Sequence, residues 1–244
     1  MSLEIRGSRI IDLTHDMYHG MPSWPTNSRF SVEDSKLMEV DGYRLREIRM
    51  NTHHGTHLDA PSHMLEDGEP VDEIDLRRLV GEGVVLDLTH KRDGEPITRE
   101  DLAAFDQEIR RGDMVFLHTG WDALRGINRR YLFLWPYLSV EGAKYLVDKG
   151  VSLVATEGLS IGGWGERTPT MGPLTDSGVE VHRILLSHGV LILEEVANLG
   201  EVLGGRRSAR AYFVVLPMKL RGLDGAPSRV IAIVDRCPDT GSKP

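Results

Sequence analysis

The sequence has almost no cysteine, since Cys237 is the single one among 244 residues. A disulfide framework and a cysteine-based zinc finger both need more than one cysteine, so both are excluded. A reducing, cytoplasmic setting is therefore expected. Any metal site has to use histidine and carboxylate ligands, which favours zinc, manganese or iron in a catalytic setting.

Long apolar runs and a basic excess are missing as well. The chain has no apolar stretch long enough to cross a membrane, and its first residues, MSLEIRGSRIIDL, lack the apolar segment of a signal peptide. The net charge of -8 leaves no basic footprint for nucleic acid. Neither a P-loop nor a G-x-S-x-G nucleophile elbow occurs. We therefore expect no membrane or nucleic-acid partner and a small-molecule substrate instead.

What the chain does contain is the pattern of one α/β domain over residues 1–244. Apolar, β-branched runs bordered by glycine or proline predict strands at 83–89, 113–119, 150–156, 189–195, 210–217 and 229–235. Helices with capping residues or terminal glycines are predicted over 101–111, 140–149 and 179–188. This alternation favours a mixed sheet flanked by helices. The first 80 residues, rich in glycine and proline, predict short strands and functional loops.

The segment HHGTHLDAPSHM, residues 53–64, concentrates four histidines and one aspartate. His53, His57, Asp59 and His63 share one parity, so an extended chain projects them from one face. In a straight strand, His53 and His57 would lie about 13 Å apart at roughly 3.3 Å per residue. That is too far for both to bind one ion at about 2.0–2.2 Å.

Two backbone breakers within this segment offer a way around that distance. Gly55 can curl the chain because glycine tolerates positive φ. Pro61 disfavours helix at the residue before it, which argues against a helical histidine pair. The spacing therefore predicts a metal site, and a histidine-rich loop without a metal is the alternative interpretation.

The same segment fits the pattern H-x-G-T-H-x-D-x-P-x-H and resembles the signature of the cyclase-like metal hydrolases. That family includes bacterial kynurenine formamidases and isatin hydrolases. Four further segments resemble the family in the same order: IDLTHDMYHGMPSWP, FLHTGW, VHRILLSHGVLILEEVANL and LPMKLRGLDGAPSRVIAIV. The resemblance implies a swivelling β/β/α fold, in which a mixed, partly barrel-like sheet is flanked by helices. One departure is Glu157, near a position where relatives commonly carry an aspartate.

The resemblance also implies roles for individual residues. It assigns metal binding to five side chains: His53, His57, Asp59, His182 and Glu194. Asp59 could bridge two ions. It makes His63 the general acid/base. Taken alone, Glu194 could equally be a solvated strand end, and His182, on one helix face with Leu185 and Leu186, could be a core residue.

Other aromatic and histidine side chains receive weaker assignments. Trp24, between two prolines, corresponds to an aromatic residue that packs against substrate in relatives, and a buried core tryptophan is the alternative. Trp121 and Trp135 are further candidates for a pocket wall. His54 is interpreted as exposed or as supporting the ligands from behind. The remaining histidines, His15, His19, His90, His118 and His188, are interpreted as structural. His15 and His19 lie in the opening segment and could approach the site.

These assignments predict a metal-dependent hydrolase of a small aryl or cyclic amide, using one or two divalent ions, with zinc or manganese expected. Hydrolysis of N-formylkynurenine to kynurenine and formate is the leading reaction. Ring opening of an isatin or a lactone is the alternative within hydrolases. A metal-dependent lyase or dehydratase and a binding protein without turnover are the alternatives from other classes. By analogy with the family, we expect a homodimer or homotetramer.

Overall fold

The structure is a computed structural model that describes residues 8–164 and 176–235. Cys237 lies outside these residues. The strands are β1 (Ser8–Asp12), β2 (Ser31–Lys36), β3 (Leu45–Arg49), β4 (His57–Asp59), β5 (Val80–Asp87), β6 (Pro96–Ile97), β7 (Met114–His118), β8 (Tyr137–Leu138), β9 (Leu153–Thr156), β10 (Leu191–Glu194), β11 (Ser208–Pro217) and β12 (Gly225–Asp235). The α-helices are α1 (Met38–Asp41), α2 (Arg99–Ala103), α3 (Arg129–Phe133), α4 (Val140–Lys149), α5 (Asp176–Ser187) and α6 (Leu199–Leu203). Short 3-10 helices cover Pro61–His63, Leu76–Arg78 and Trp121–Leu124.

Seven of these strands close into a ring. Their order is β12-β11-β5-β7-β9-β10-β4, and β4 pairs again with β12. The central strands β5, β7, β9 and β10 run parallel, while β4, β11 and β12 pair antiparallel with their neighbours. β1 pairs antiparallel with the end of β12, beyond the residues that β4 covers. The predicted mixed, barrel-like sheet flanked by helices is therefore confirmed.

Two apolar cores lie on the two faces of this ring. The inner core takes residues from every strand of the ring, among them Leu58, Phe116 and Phe213. The outer core contains the alternate residues of the parallel strands, such as Val154, together with apolar residues of the helices, such as Leu185 of α5. Because neighbouring residues of a strand face opposite sides, strands buried on both faces are apolar throughout.

The predicted strands all form, and the helix α4 begins and ends as predicted, with Gly150 left-handed at φ +72°. The helix predicted over 101–111 is wrong in extent. Its capping box between Thr98 and Asp101 is present, but the helix ends at Ala103. The following residues turn instead, because Asp106 accepts hydrogen bonds from Tyr145 and Lys149 of α4. Within residues 8–164 and 176–235, no helix is long and apolar enough to cross a membrane.

Candidate active site

The short strand β4 carries two of the predicted ligands, and both of its edges are paired. His57 lies opposite Glu194 of β10 and opposite Pro227 of β12. Leu58 points into the inner core, so His57 and Asp59 point to the other face. Both side chains are buried there. Backbone pairing on both sides therefore fixes where these two ligand candidates lie.

Gly55 turns the chain just before β4. Its φ of +65° lies in the left-handed region that glycine adopts without strain. The turn brings the ring of His53 to 5.0 Å from the ring of His57, measured between centroids. The curl predicted at Gly55 is therefore confirmed.

Asp59 lies at the centre of the candidate ligands. Its Oδ1 is 2.8 Å from Nδ1 of His53 and 3.4 Å from Nε2 of His57. Its Oδ2 is 3.7 Å from Nε2 of His182, and that nitrogen is 3.1 Å from Oε1 of Glu194. The five side chains thus form two groups of three that share Asp59, and the potential ligand atoms of each group lie within 4.8 Å of one another.

Hydrogen bonds to backbone carbonyls orient two of the histidines. Nδ1 of His57 lies 2.7 Å from the carbonyl oxygen of Gly55, and Nδ1 of His182 lies 2.7 Å from that of Gly178. A carbonyl oxygen only accepts, so each Nδ1 carries the proton and donates it. Each Nε2 faces the carboxylates and, once it has lost its proton, offers its lone pair to a metal, which is the form of histidine that binds metals.

The buried atoms at the centre of the site fit a divalent cation. Among the described residues, Nε2 of His57 and Oδ2 of Asp59 are buried and have no hydrogen-bond partner. Buried polar atoms without partners are costly and therefore rare. A cation between the side chains would give both atoms a partner, and mixed imidazole and carboxylate donors suit zinc, manganese or iron.

Protons compete with a cation for the same atoms. Burial by itself would lower the pKa of His53, but the carboxylates of Asp59 and Asp224 raise it to about 9. Burial likewise opposes the charging of His57, yet Asp59 and Glu194 hold its pKa well above the ordinary value. The acidic side chains therefore attract positive charge, and binding a metal requires these histidines to lose protons.

His63 is held beside this cluster by a carboxylate that sequence reasoning missed. Nδ1 of His63 is 3.4 Å from Oδ2 of Asp224, and the same oxygen is 2.9 Å from Nε2 of His53. Thr52 donates a hydrogen bond to the other carboxylate oxygen at 2.9 Å. Burial, with the charges of His53 and His182, lowers the pKa of His63, which favours its neutral form. Asp224 therefore orients one candidate ligand and the candidate acid/base together.

The cluster opens onto a cavity of about 450 Å³. His63, Asp224, Glu194 and Trp24 all line it. The ring of Trp24 lies 5.8 Å from that of Trp135 and 4.8 Å from that of Trp164. Trp24 thus lines the cavity, while contact with a substrate stays a prediction. Trp121 and Trp135, the other predicted wall residues, are buried and are not among the residues that line it, so that expectation is wrong.

Glu157 does not line this cavity and has a structural role. It is fully buried and accepts hydrogen bonds from Nδ1 of His118 at 2.6 Å and from the backbone N–H groups of Thr119 and Trp121. Its carboxylate is therefore fully occupied in tying together the loop after β7. The sequence departure at this position does not alter the ligand cluster.

The other histidines of the opening and motif segments have separate environments. His54 is fully buried, with its ring 5.9 Å from that of Phe30, so the exposed interpretation is wrong. His19 hydrogen-bonds to the backbone of Val32. Burial and the nearby Arg125 lower the pKa of His15 to about 4.

Glu195 is a second residue that sequence reasoning missed. It lines the cavity directly after Glu194 and is fully buried, with its backbone at a φ of +52°. Tyr131 donates a hydrogen bond to its carboxylate at 3.3 Å, and Arg125 lies 3.7 Å away. Burial raises the pKa of Glu195 to about 7, although Arg125 opposes this. The positive φ directs its side chain toward Arg125 and Tyr131 rather than toward the ligand cluster.

Comparison with known proteins places this site in context. The Cyclase family model matches residues 11–162. A kynurenine formamidase of Bacillus cytotoxicus is 28% identical over 228 residues, covering 93% of this chain and 98% of the relative.

Solved structures match over nearly the same length. A Bacillus stearothermophilus protein named a predicted metal-dependent hydrolase is 30% identical, with a TM-score of 0.71, covering 93% of this chain and 98% of that chain. Isatin hydrolase A from Labrenzia aggregata is 27% identical, with a TM-score of 0.80, covering 94% of this chain and 95% of that chain. These matches cover nearly the whole chain and are not confined to the histidine-rich segment.

Proposed function

Since this chain belongs to the Cyclase family, and is a hydrolase as its relatives are named, we propose that its substrate is a small aryl amide. The first substrate we propose is N-formylkynurenine, which water cleaves to kynurenine and formate. The observation that carries this proposal is the Asp59-centred cluster, which opens together with His63 onto a cavity lined by Trp24.

We propose that one or two divalent ions, zinc or manganese, are held by the five ligand candidates His53, His57, Asp59, His182 and Glu194. When bound, such ions supply Lewis-acid activation of water and of the scissile carbonyl. The setting we propose is cytoplasmic, in keeping with the single cysteine of the sequence.

The chain's own residues would supply orientation and proton transfer. Neutral His63 accepts one proton from the attacking water, whose oxygen forms the new bond to the formyl carbon. The carbon–nitrogen bond then breaks, and His63 returns the proton to the leaving aryl amine nitrogen, so that amine and formate leave in balance. Asp224 holds the imidazole of His63 through Nδ1, which leaves Nε2 for the proton transfer.

Ring opening of an isatin is the second candidate. The observation that favours it is Trp24, which lines the cavity and packs on the buried Trp135 and Trp164, since a fused bicyclic substrate stacks well on an indole ring. The chemistry asked of His63 is the same, because an aryl amide bond is again hydrolysed. The two substrates differ in what leaves: an open-chain amide releases formate, whereas a cyclic amide gives one product.

The test is turnover of N-formylkynurenine and of isatin by purified protein whose metal content has been measured, with and without a chelator. Chelator-sensitive release of formate supports the first candidate, and chelator-sensitive ring opening alone supports the second. Oxygen from labelled water must enter the product, because a lyase or dehydratase would not incorporate it. Protein loaded with zinc or manganese that turns over neither substrate contradicts the aryl amide proposal.

A further inference from the structure

Glu195 has a backbone conformation that glycine would adopt without strain. Its φ is +52°, and among the described residues only one other non-glycine residue, Asn198 at +59°, has a positive φ. Asparagine is enriched in the left-handed region, whereas a residue with a longer side chain such as glutamate is uncommon there. Strained residues of this kind persist where the surrounding structure holds them, and they cluster at functional sites. The contacts of the Glu195 side chain therefore need a functional explanation.

The carboxylate of Glu195 meets a buried arginine. Nε of Arg125 lies 3.7 Å from Oε2 of Glu195, and Tyr131 donates a hydrogen bond to the same oxygen at 3.3 Å. The side chain of Arg125 is 9% exposed and that of Glu195 is 2% exposed. Within the described part of the chain, Glu195 is the one acidic residue that forms an ion pair with Arg125. A buried guanidinium without a counter-charge is costly, so the position of Arg125 depends on Glu195.

The far end of the guanidinium holds the opening segment, residues 11–25. Nη1 of Arg125 donates a hydrogen bond to the backbone carbonyl of Asp16 at 3.1 Å, and Nη2 lies 3.9 Å from Sδ of Met21. Met21 is buried, and Trp24 follows it three residues later along the chain. Arg125 thus connects the residue that follows β10 to the segment that carries Trp24.

We propose that Glu195 is a positioning residue, which acts through Arg125 to hold the opening segment, and with it Trp24, at the cavity. Without the carboxylate, the buried guanidinium would lose its counter-charge, so Arg125 would turn away and release Asp16. The candidate metal ligands on β4 and β10 would keep their places, because the backbone pairing of these two strands does not involve this contact. The expected effect on substrate rests on the proposed function, whereas the expected effect on Trp24 does not.

The first test measures acrylamide quenching of tryptophan fluorescence and needs no substrate. Three of the four tryptophans are buried: Trp121, Trp135 and Trp164. Trp24 is partly exposed, so changes in quenching report mainly on Trp24. In Glu195→Gly, which also removes the backbone strain, the quenching constant should rise above the wild-type value. The additional substitution Trp24→Phe should abolish that rise. A folded Glu195→Gly variant with the wild-type quenching constant overturns the proposal.

A second variant, Arg125→Met, breaks the same contact from its other side and keeps the proposal testable where Glu195→Gly does not fold. It should raise the quenching constant at least as much as Glu195→Gly does. The double variant should match Arg125→Met alone, because residues in contact do not have additive effects. Arg129→Met is the matched control, since Arg129 is exposed on the neighbouring helix α3. Single effects that add in the double variant, or an Arg125→Met variant that behaves like the control, overturn the proposal.

Kinetics separate this role from a direct one. With an aryl amide that the wild type hydrolyses, Glu195→Gly and Arg125→Met should each raise KM by about 2–30-fold, the usual range for residues that act through others. The fall in kcat should be smaller, and metal content should not change. A raised KM with unchanged quenching would give Glu195 a direct contact with substrate, and lost metal would place it in the ligand cluster, so either result overturns the proposal. If no aryl amide is turned over, the proposed function fails, while quenching still decides this inference.

Discussion

Asp224 touches both histidines on which the proposed chemistry depends, and its replacement by asparagine isolates that contact. The substitution keeps the shape of the side chain and removes its charge. Oδ2 of Asp224 lies 2.9 Å from Nε2 of His53 and 3.4 Å from Nδ1 of His63. The hydrogen bond from His53, above all, holds the pKa of Asp224 well below its ordinary value, so the carboxylate is charged at neutral pH.

The size of the effect follows from the kind of contact that is lost. Removing a carboxylate that supports a metal-binding histidine typically costs 10–100-fold in activity or metal affinity. The side chain of Asp224 is 42% exposed, so solvent screens part of its charge. We therefore expect the low end of that range, a fall of about tenfold in kcat, which corresponds to about 1.4 kcal/mol.

The assay is kcat and KM with metal in excess, together with metal content by mass spectrometry. Asp72→Asn is the matched control: it makes the same chemical change in a nearby loop, where Asp72 accepts a hydrogen bond from the backbone N–H of Gly222 at 2.7 Å. Asp224→Glu should recover part of the lost rate by restoring the charge. A kcat for Asp224→Asn within twofold of the control, at equal metal content, would refute the argument.

Four further outcomes are expected. His57→Ala should lose both bound metal and activity, and a variant that still binds stoichiometric metal would remove His57 from the ligand set. His63→Ala should keep its metal and lose about 10²–10⁴-fold in turnover, the usual contribution of a general acid/base; activity within a few-fold of wild type would contradict this role. Binding of zinc to metal-free protein should release protons at pH 7 and tighten as pH rises toward 9, because the pKa of His53 is raised to about 9. Calorimetry in buffers of different ionisation enthalpy measures this proton release. Binding heats that do not depend on the buffer would contradict it. Trp24→Ala should raise KM more than it lowers kcat, whereas an unchanged KM would exclude Trp24 as a wall that binds substrate.

The parts of the site that sequence predicts are those set by local geometry. His53, His57 and Asp59 lie within seven consecutive residues, so parity and the turn at Gly55 suffice to bring them together. His182 and Glu194 are different, because spacing alone left each open to an ordinary structural interpretation. Their placement beside Asp59 depends on how α5 packs on the ring, which only the resemblance to a family anticipated.

The parts that sequence reasoning missed depend on closure of the ring. Asp224 is 171 residues from His53 in the chain and meets it because β12 pairs with β4. No local sequence pattern predicts that pairing. The local signal is that Asp224, an acidic residue, comes immediately before a strand-like run. Glu195 follows Glu194 in a run that predicts only a strand end, so the sequence does not single it out. Its burial against Arg125 and Tyr131 is a tertiary contact.

The closing strand also explains why the site combines a fixed part and an adaptable part. β4 is three residues long and bonds to β10 on one edge and β12 on the other, so His57 and Asp59 cannot shift without breaking the ring. His63 follows in a 3-10 turn, and Trp24 lies in a loop between prolines. Sites built on strands hold their geometry more closely than sites built on loops. We therefore expect substitutions around Trp24 to change which amide is hydrolysed while metal content stays constant. Metal content that falls together with altered substrate preference in such variants would show that the two parts are coupled.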